Sequence, residues 1–289
     1  MSNFIVIDKN DTASMNIMDK LINEQKVFMK TSLVFKEEPV YFYKNTYLVI
    51  NDEHSAEAEK IDDAIENITA VKPEMIIFPT VHASQSEIPS LTVHTPGNWG
   101  DADEGGLNRK LCISAEAFMK EALRHMETRV KEYPEIKDFD IIQEATHHGP
   151  ALSCPSMFIE IGSTKKEWKI EDAGRVIADT IVYLIESTEH IANTEYETAV
   201  GIGGPHSCTN FMKITFNDER IAIGHVCPKH SIGLLDKQML EHAMQRCSRD
   251  VRHVIVDWKG LGQEKERIIS LLDDMGIEYK RTKDFKYNS

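Results

Sequence analysis

The sequence predicts a single α/β domain, residues 1–289, built around a mixed and mostly buried sheet. Three observations carry that expectation. Short apolar runs alternate along the chain with longer stretches of helical spacing, the pattern of strands joined through helices. Some of the short runs, such as MIIFP at 75–79, are apolar throughout, as strands covered on both faces are. The breaks between elements are short, with no repeat, low-complexity segment or linker.

In chain order, FIVID (4–8) reads as a strand and 13–24 as a helix. VYFYKNTYLVI (40–50) reads as two strands joined near Lys44–Asn45. HSAEAEKIDDAIENI (54–68) is an acidic helix that ends before Pro73. MIIFP and SLTVH (90–94) are strands, the second running into the polar loop TPGNWGDADEGG. An amphipathic helix covers 114–131 with Ser114 as its N-cap. DIIQEAT (140–146) and SMFIEIG (156–162) are strands, and 170–186 is a helix with apolar residues at 170, 173, 177, 181 and 184 on one face. Strands follow at TAVGIGG (198–204), RIAIGHV (220–226) and HVIVDW (253–258), and helices at 236–247 and 263–275, the last closed by Gly276.

Composition narrows the function classes. With 41% hydrophobic and 28% charged residues the chain reads as an ordinary globular protein, and no apolar run is long enough to span a membrane. MSNFIVIDKNDTAS has one short apolar stretch followed at once by charges, unlike a signal peptide. Five cysteines without a CxxC pair point to reduced thiols and a cytoplasmic protein. A net charge of −14 argues against generic nucleic-acid binding. The charge is uneven: residues 51–75 carry eight acids against two bases, whereas 246–289 carry ten bases against eight acids. A basic face near the C-terminus, with Lys280, Arg281, Lys283 and Lys286, is therefore expected.

Polar residues follow almost every apolar strand. MIIFP leads to His82, and SLTV to His94 and Asn98. DIIQ leads to Glu144, His147 and His148 in EATHHGP, and TAVGIGG to His206. IAIG leads to His225, and HVIV to Asp257-Trp258-Lys259. Glu160 interrupts the apolar strand MFIEIG. Ligands of α/β sheets bind beyond the carboxyl ends of the strands, and here most ends deliver a His, Asp or Glu. A lone His at such a place more often serves a backbone group, which makes His82 and His225 weak taken singly. Glu160 is stronger, because a carboxylate in an apolar strand is costly unless paired or metal-bound. Successive strand side chains point to opposite faces, so one of His147 and His148 is expected in a given pocket, unless Gly149-Pro150 bends the chain there. GIGGPH (201–206) lacks the sixth glycine of a dinucleotide fingerprint; Gly203 and Gly204 serve a close backbone approach to a ligand, or simply a turn. The cysteines have no ligand spacing, so any zinc is expected on His and carboxylate.

The ordered blocks LTVHTPGNWG, EATHHGP, FIEIGSTKKEW, AVGIGGPH, GHVCPKH and VDWKG resemble the archaeal and plant-type D-aminoacyl-tRNA deacylases. They run from about residue 80 to 276, some two-thirds of the chain. The resemblance implies a three-layer α/β/α architecture similar to phosphorylases and peptidyl-tRNA hydrolases. It also implies a zinc-dependent hydrolase that cleaves the ester between a D-amino acid and tRNA. On that reading His94, His148 and Glu160 lie near the metal, with His82 and His206 as further ligand candidates. His147 is the general base or proton shuttle, Glu144 and His148 share the catalytic centre, and Lys259 contacts a phosphate or the oxyanion. Asn98, Gly203, Gly204 and Asp257 face the substrate, and Lys280, Arg281 and Lys283 face the RNA. The expected assembly is a monomer or weak homodimer. Two departures stand out: Pro205 and Ser207 flank His206 where the family usually has GGGHY, and Ala83-Ser84 follow His82 where a basic residue is usual. Competing readings are a zinc-dependent amidase, a nucleoside phosphorylase-like enzyme, and a tRNA-binding module without catalysis.

Overall fold

The strands fall into two sheets rather than one, and EATHHGP runs between them. A computed structural model describes residues 2–285, so Lys286 lies outside the described residues. The larger sheet contains β1 (Asn3–Asp8), β2 (Met29–Phe35), β3 (Glu38–Tyr43), β4 (Thr46–Asn51), β5 (Met75–Ala83), β6 (Ser90–His94), β7 (Ile113–Ser114), β8 (Asp140–Gln143) and β9 (Pro155–Ser163). Its order is β2-β3-β4-β1-β5-β9-β6-β8, with β7 paired to β9. The smaller sheet has the order β11-β10-β12-β13, from β10 (Glu197–Ile202), β11 (Ile221–Cys227), β12 (Val251–Val256) and β13 (Tyr279–Arg281). All its pairings are parallel. The α/β class and the mixed, mostly buried character expected from the sequence are both present, and most strand pairings are parallel.

Helices cover both faces of each sheet, because the central strands are apolar on both faces. Against one face of the larger sheet, α1 (Thr12–Asp19), α3 (Glu116–Arg129) and α4 (Glu171–Glu186) pack on Ile5, Ile7, Ile77, Val93 and Ile159. On the other face, α2 (Ile61–Thr69) packs on Phe4, Val6, Ile76, Phe78 and Phe158. In the smaller sheet, α6 (Thr209–Asn217) lies on Ala199, Ile221, Ile223 and Ile255. There α7 (Lys237–Gln245) and α8 (Lys265–Asp274) cover Val200, Ile202, Val254 and Val256. A short α5 (Thr188–Asn193) precedes β10. No helix among the described residues is long and apolar enough to cross a membrane.

Several local expectations give way. Ser114 does not cap α3; it belongs to β7, and its Oγ accepts the Thr95 hydroxyl at 3.0 Å. The helix expected over 54–68 breaks at Lys60, which takes a left-handed conformation (φ 59°), and the regular helix starts at Ile61. The cap of α1 is Asp11, whose carboxylate accepts the Ser14 N–H at 2.8 Å. Its second oxygen accepts the Thr80 hydroxyl and the Val81 N–H at 2.5 and 2.9 Å. One carboxylate thus fixes both the start of α1 and the end of β5, just ahead of His82.

Candidate active site

The carboxyl-end rule holds only in part. β6 runs antiparallel to β9, so its last residue, His94, pairs with Phe158 in the first half of β9, while Thr92 pairs with Glu160. β5 runs parallel to β9, which places Thr80 beside Glu160 and His82 beside Gly162. With side chains alternating between faces, Thr80 and His82, Thr92 and His94, and Phe158 and Glu160 share one face. The polar groups are therefore strung across the sheet's face. They do not sit along one edge.

The remaining histidines come from EATHHGP, which is stitched to both sheets. Glu144 N–H donates to the Val93 carbonyl (2.9 Å), Ala145 N–H to that of His206 (2.8 Å), and Thr146 N–H to that of Val226 (3.1 Å). His147 then bridges to Pro96, and the Gly97 N–H points at the carbonyls of His147 and His148. His148 is left-handed (φ 42°), which turns its ring to the same side as that of His147. Both histidines therefore face one site: their rings lie 4.1 and 4.7 Å from the His94 ring and 4.4 Å from each other. The bend needed for this was the exception the sequence left open. Gly149 makes it possible, since a Cβ there would fall 2.2 Å from Gly106 N and 2.4 Å from the Ala56 carbonyl. Glu59 braces the same corner by accepting the N–H groups of Gly106 and Ala151.

Three groups of side chains have ligand atoms close enough to share an ion: His94–His147–His148, Glu144–His147–His206, and His82–Glu144–Glu160. His82 Nδ1 is 3.1 Å from Glu144 and 3.6 Å from Glu160; His206 Nε2 is 3.8 Å from Glu144. His94 is fully buried, and neither of its ring nitrogens makes a hydrogen bond. The Glu160 carboxylate lies 3.4 Å from its Nε2 and the Thr95 backbone is adjacent, but neither is aligned with the ring. Oε2 of the buried Glu144 is likewise unpartnered, whereas Glu160 accepts the Thr92 hydroxyl at 3.0 Å. Such orphaned groups are rare inside proteins and call for an occupant.

The protonation states suit a cation. Burial, then neighbouring histidines, hold His94 and His147 well below the ordinary imidazole range. Burial takes His148 to about 4, and burial with the nearby His206 takes His82 to about 4. His147 Nδ1 lies 2.8 Å from the Ala145 carbonyl and His148 Nδ1 2.6 Å from that of Gly149. A carbonyl can only accept, so in both neutral rings Nδ1 carries the proton and Nε2 the lone pair. Burial drives Glu144 up to about 8, and burial with the Glu144 charge drives Glu160 well above the carboxylate range. Among the described residues, no Lys or Arg pairs with either acid. A dication would ease both problems at once: it would take the one lone pair of the neutral His94 ring and compensate the acids.

Beside His147 and His148 opens a cavity of about 420 Å³, walled by Gly97–Gly100, Asp101, Asp103, Glu104, Thr146, His230 and Leu234. Residues 69–280 match the family described as D-aminoacyl-tRNA deacylase. The chain belongs to that family. Several curated family members resemble it over nearly their whole length. The D-aminoacyl-tRNA deacylase of Thermococcus kodakarensis is 37% identical over 281 residues, covering 96% of this chain and 98% of the relative. That of Pyrococcus abyssi is 37% identical over 279 residues, covering 95% and 98%. A crystal structure of a conserved protein of unknown function superposes with a TM-score of 0.84 at 27% identity, over 98% of this chain and 96% of the other.

Of the deacylase-type site residues expected from sequence, His82, His94, Glu144, His147, His148, Glu160 and His206 come together. Others do not join them. Asn98 borders the cavity, but its amide is committed to the Gly105 carbonyl (2.8 Å). Gly203 and Gly204 approach Asp257 and Gly260 closely, so the space a side chain would take is filled by protein. Asp257 accepts the Asn210 amide (2.9 Å) and the Gly260 N–H (3.3 Å), tying two loops together. Lys259 is exposed and lies outside the cluster and the cavity lining. His225 has the plain role: its nitrogens face Thr146 Oγ1 and the Arg246 carbonyl, both at 3.1 Å. Sequence reasoning passed over Thr92 and His230. Thr92 was findable, being two residues before His94 and so on its face. His230, 6.2 Å from His206, carried no signal beyond its place in GHVCPKH.

Proposed function

We propose that this protein hydrolyses the ester linking a D-amino acid to tRNA, with a zinc ion held by the buried histidine–carboxylate cluster. The observation that carries the reading is His94: a fully buried imidazole with no hydrogen-bond partner, ringed by His147, His148 and Glu160, in a chain of the deacylase family. His94 and His148 would hold the metal in the group they form with His147; Glu160 belongs to the neighbouring group with His82 and Glu144, and His206 to that of Glu144 and His147. When bound, zinc activates water and polarises the ester carbonyl.

The chain's own groups do the rest. His147 has its Nδ1–H anchored on the Ala145 carbonyl, so its Nε2 is the proton acceptor at the cavity wall. The walls position the aminoacyl group, and the acids at 101–104 supply negative charge for its α-ammonium. Thr92 orients Glu160 through its hydroxyl. No Lys or Arg among the described residues lines the cavity, which disfavours a phosphorolytic reaction. A tRNA substrate implies work in the cytoplasm. Chelation should abolish hydrolysis of D-aminoacyl-tRNA and added zinc should restore it. Undiminished turnover in protein shown to be metal-free refutes the reading.

A further inference from the structure

Trp258 stands at the carboxyl end of β12, and two cations sit against its ring. The Arg281 guanidinium is 3.7 Å from the ring centroid and the Lys265 ammonium 5.0 Å. Next along the edge of the sheet, the Lys280 ammonium is 5.6 Å from the Phe285 ring. Lys259, next in sequence to Trp258, and Lys283 are exposed. Among the described residues none of these five cations makes a close ion pair, although Glu197, whose carboxyl is held low first by its His253 hydrogen bond, also feels the Lys280 charge. In a chain of net charge −14, five cations without a close ion pair, interleaved with two aromatic rings, make an unusual patch.

The patch also adjoins the histidine cluster. Asp257, the residue before Trp258, packs on Gly204, where an added Cβ would lie 3.0 Å from its Oδ2. Two residues beyond Gly204, the His206 ring is 4.4 Å from His147. The Gly204 carbonyl accepts the Lys229 N–H at 2.9 Å, and the next residue, His230, lines the cavity. Trp258 is thus linked to the His206 side of the cluster through Asp257 and the 203–206 loop.

We propose that the Trp258–Arg281 stack, flanked by Lys259, Lys265 and Lys280, is the platform on which the unpaired 3′-terminal nucleotides of the RNA stack while the terminal ester reaches His147. The inference rests on the deacylase reading for its substrate. Flat rings interleaved with cations bind single strands, because every base offers a π-face and every phosphate a charge. A paired stem hides its base faces and would use the cations alone. An acidic peptide would likewise leave the ring unused.

Two variants, Trp258→Ala and Trp258→Phe, test this in the full-length protein. One readout is affinity for a short unacylated single-stranded RNA, with a duplex of equal length and an acidic peptide as competitors. The other is KM and kcat on D-aminoacyl-tRNA beside a small D-aminoacyl ester. Trp258→Ala should weaken single-strand binding about 10-fold or more and raise KM for the tRNA substrate alike. Trp258→Phe should keep most of the affinity, and the loss should be confined to RNA-bearing substrates. Unchanged affinity in Trp258→Ala overturns the platform. So does an equal loss on the small ester, which would make Trp258 a prop for the 203–206 loop, or better competition by duplex or peptide. The binding readout needs no hydrolysis. A parent that binds RNA through Trp258 yet leaves the ester intact refutes the hydrolase reading and keeps the platform; a hydrolysing parent indifferent to Trp258→Ala does the reverse.

Discussion

Replacing His94 by leucine should strengthen the metal-free fold while removing activity. His94 is fully buried and neither ring nitrogen has a hydrogen-bond partner. Burying unpartnered polar groups costs about 1–3 kcal/mol, which an apolar side chain of similar size recovers. Against this stands the ring contact with Phe158, stacked at 4.9 Å, worth about 0.5–1.5 kcal/mol. The net change in metal-free protein is then between about −0.5 and 2.5 kcal/mol in favour of His94→Leu. A typical core substitution destabilises by about 1 kcal/mol instead. At roughly 2–4 °C per kcal/mol for a chain this long, Tm should stay level or rise by a few degrees. Zinc would no longer stabilise the variant by the ~2.7 kcal/mol expected at a hundredfold excess over Kd. Denaturation of chelated and zinc-loaded parent and variant, beside turnover of D-aminoacyl-tRNA, measures all of this. A chelated variant less stable than chelated parent by ~3 kcal/mol, with activity per folded molecule retained, would show that His94 is a packing residue.

The other predictions concern neighbouring groups. His147→Ala or His148→Ala should lower turnover at least ~100-fold with little change in Tm; a large fall in Tm with activity retained would make EATHHGP structural. For the metal-free protein the pH dependence has a definite sign. The Glu144 carboxyl rises from 4.5 to about 8 on folding, so its contribution is full below pH 4.5 and is lost as pH rises to about 8. His82 and His148 fall from 6.5 to about 4, so theirs is full above pH 6.5 and is lost as pH falls to about 4. Between pH 6.5 and 8 only the Glu144 loss operates among these three. Chelated protein should therefore weaken across that window more than zinc-loaded protein, and equal slopes in denaturant titrations would contradict it. Replacing Lys280, Arg281 and Lys283 together by Ala should raise KM for aminoacyl-tRNA with kcat nearly intact; binding should fall with salt at a shallow log–log slope of about 2–4. Parent-like tRNA affinity in the triple variant would move the RNA elsewhere.

Much of the architecture was legible because apolar runs have few other places to go. The elements that escaped are those whose local signal is weak. β2, MKTSLVF, is an edge strand exposed along much of its length, and β13 has three residues, so neither needs a long apolar run. TNFMKITFN, rich in β-branched and aromatic residues of weak helix propensity, carries no clear helical signal yet forms α6, because packing on the smaller sheet outweighs propensity. The division into two sheets leaves no trace in an alternating pattern. In the site, Glu160 announced itself as a carboxylate in an apolar strand, and the histidines by recurrence. That both His147 and His148 turn inward depends on one positive φ angle, which a residue name does not encode. The antiparallel course of β6, which lays His94 against Phe158, is a property of topology and equally invisible.

The most direct test is a side-by-side time course of D- and L-aminoacyl-tRNA with the zinc-loaded protein and its chelated form. The account predicts rapid deacylation of the D-ester by the loaded protein, little action on the L-ester, and loss of the D-activity on chelation. Equal rates on both esters, or a D-activity that survives complete removal of metal, would contradict it.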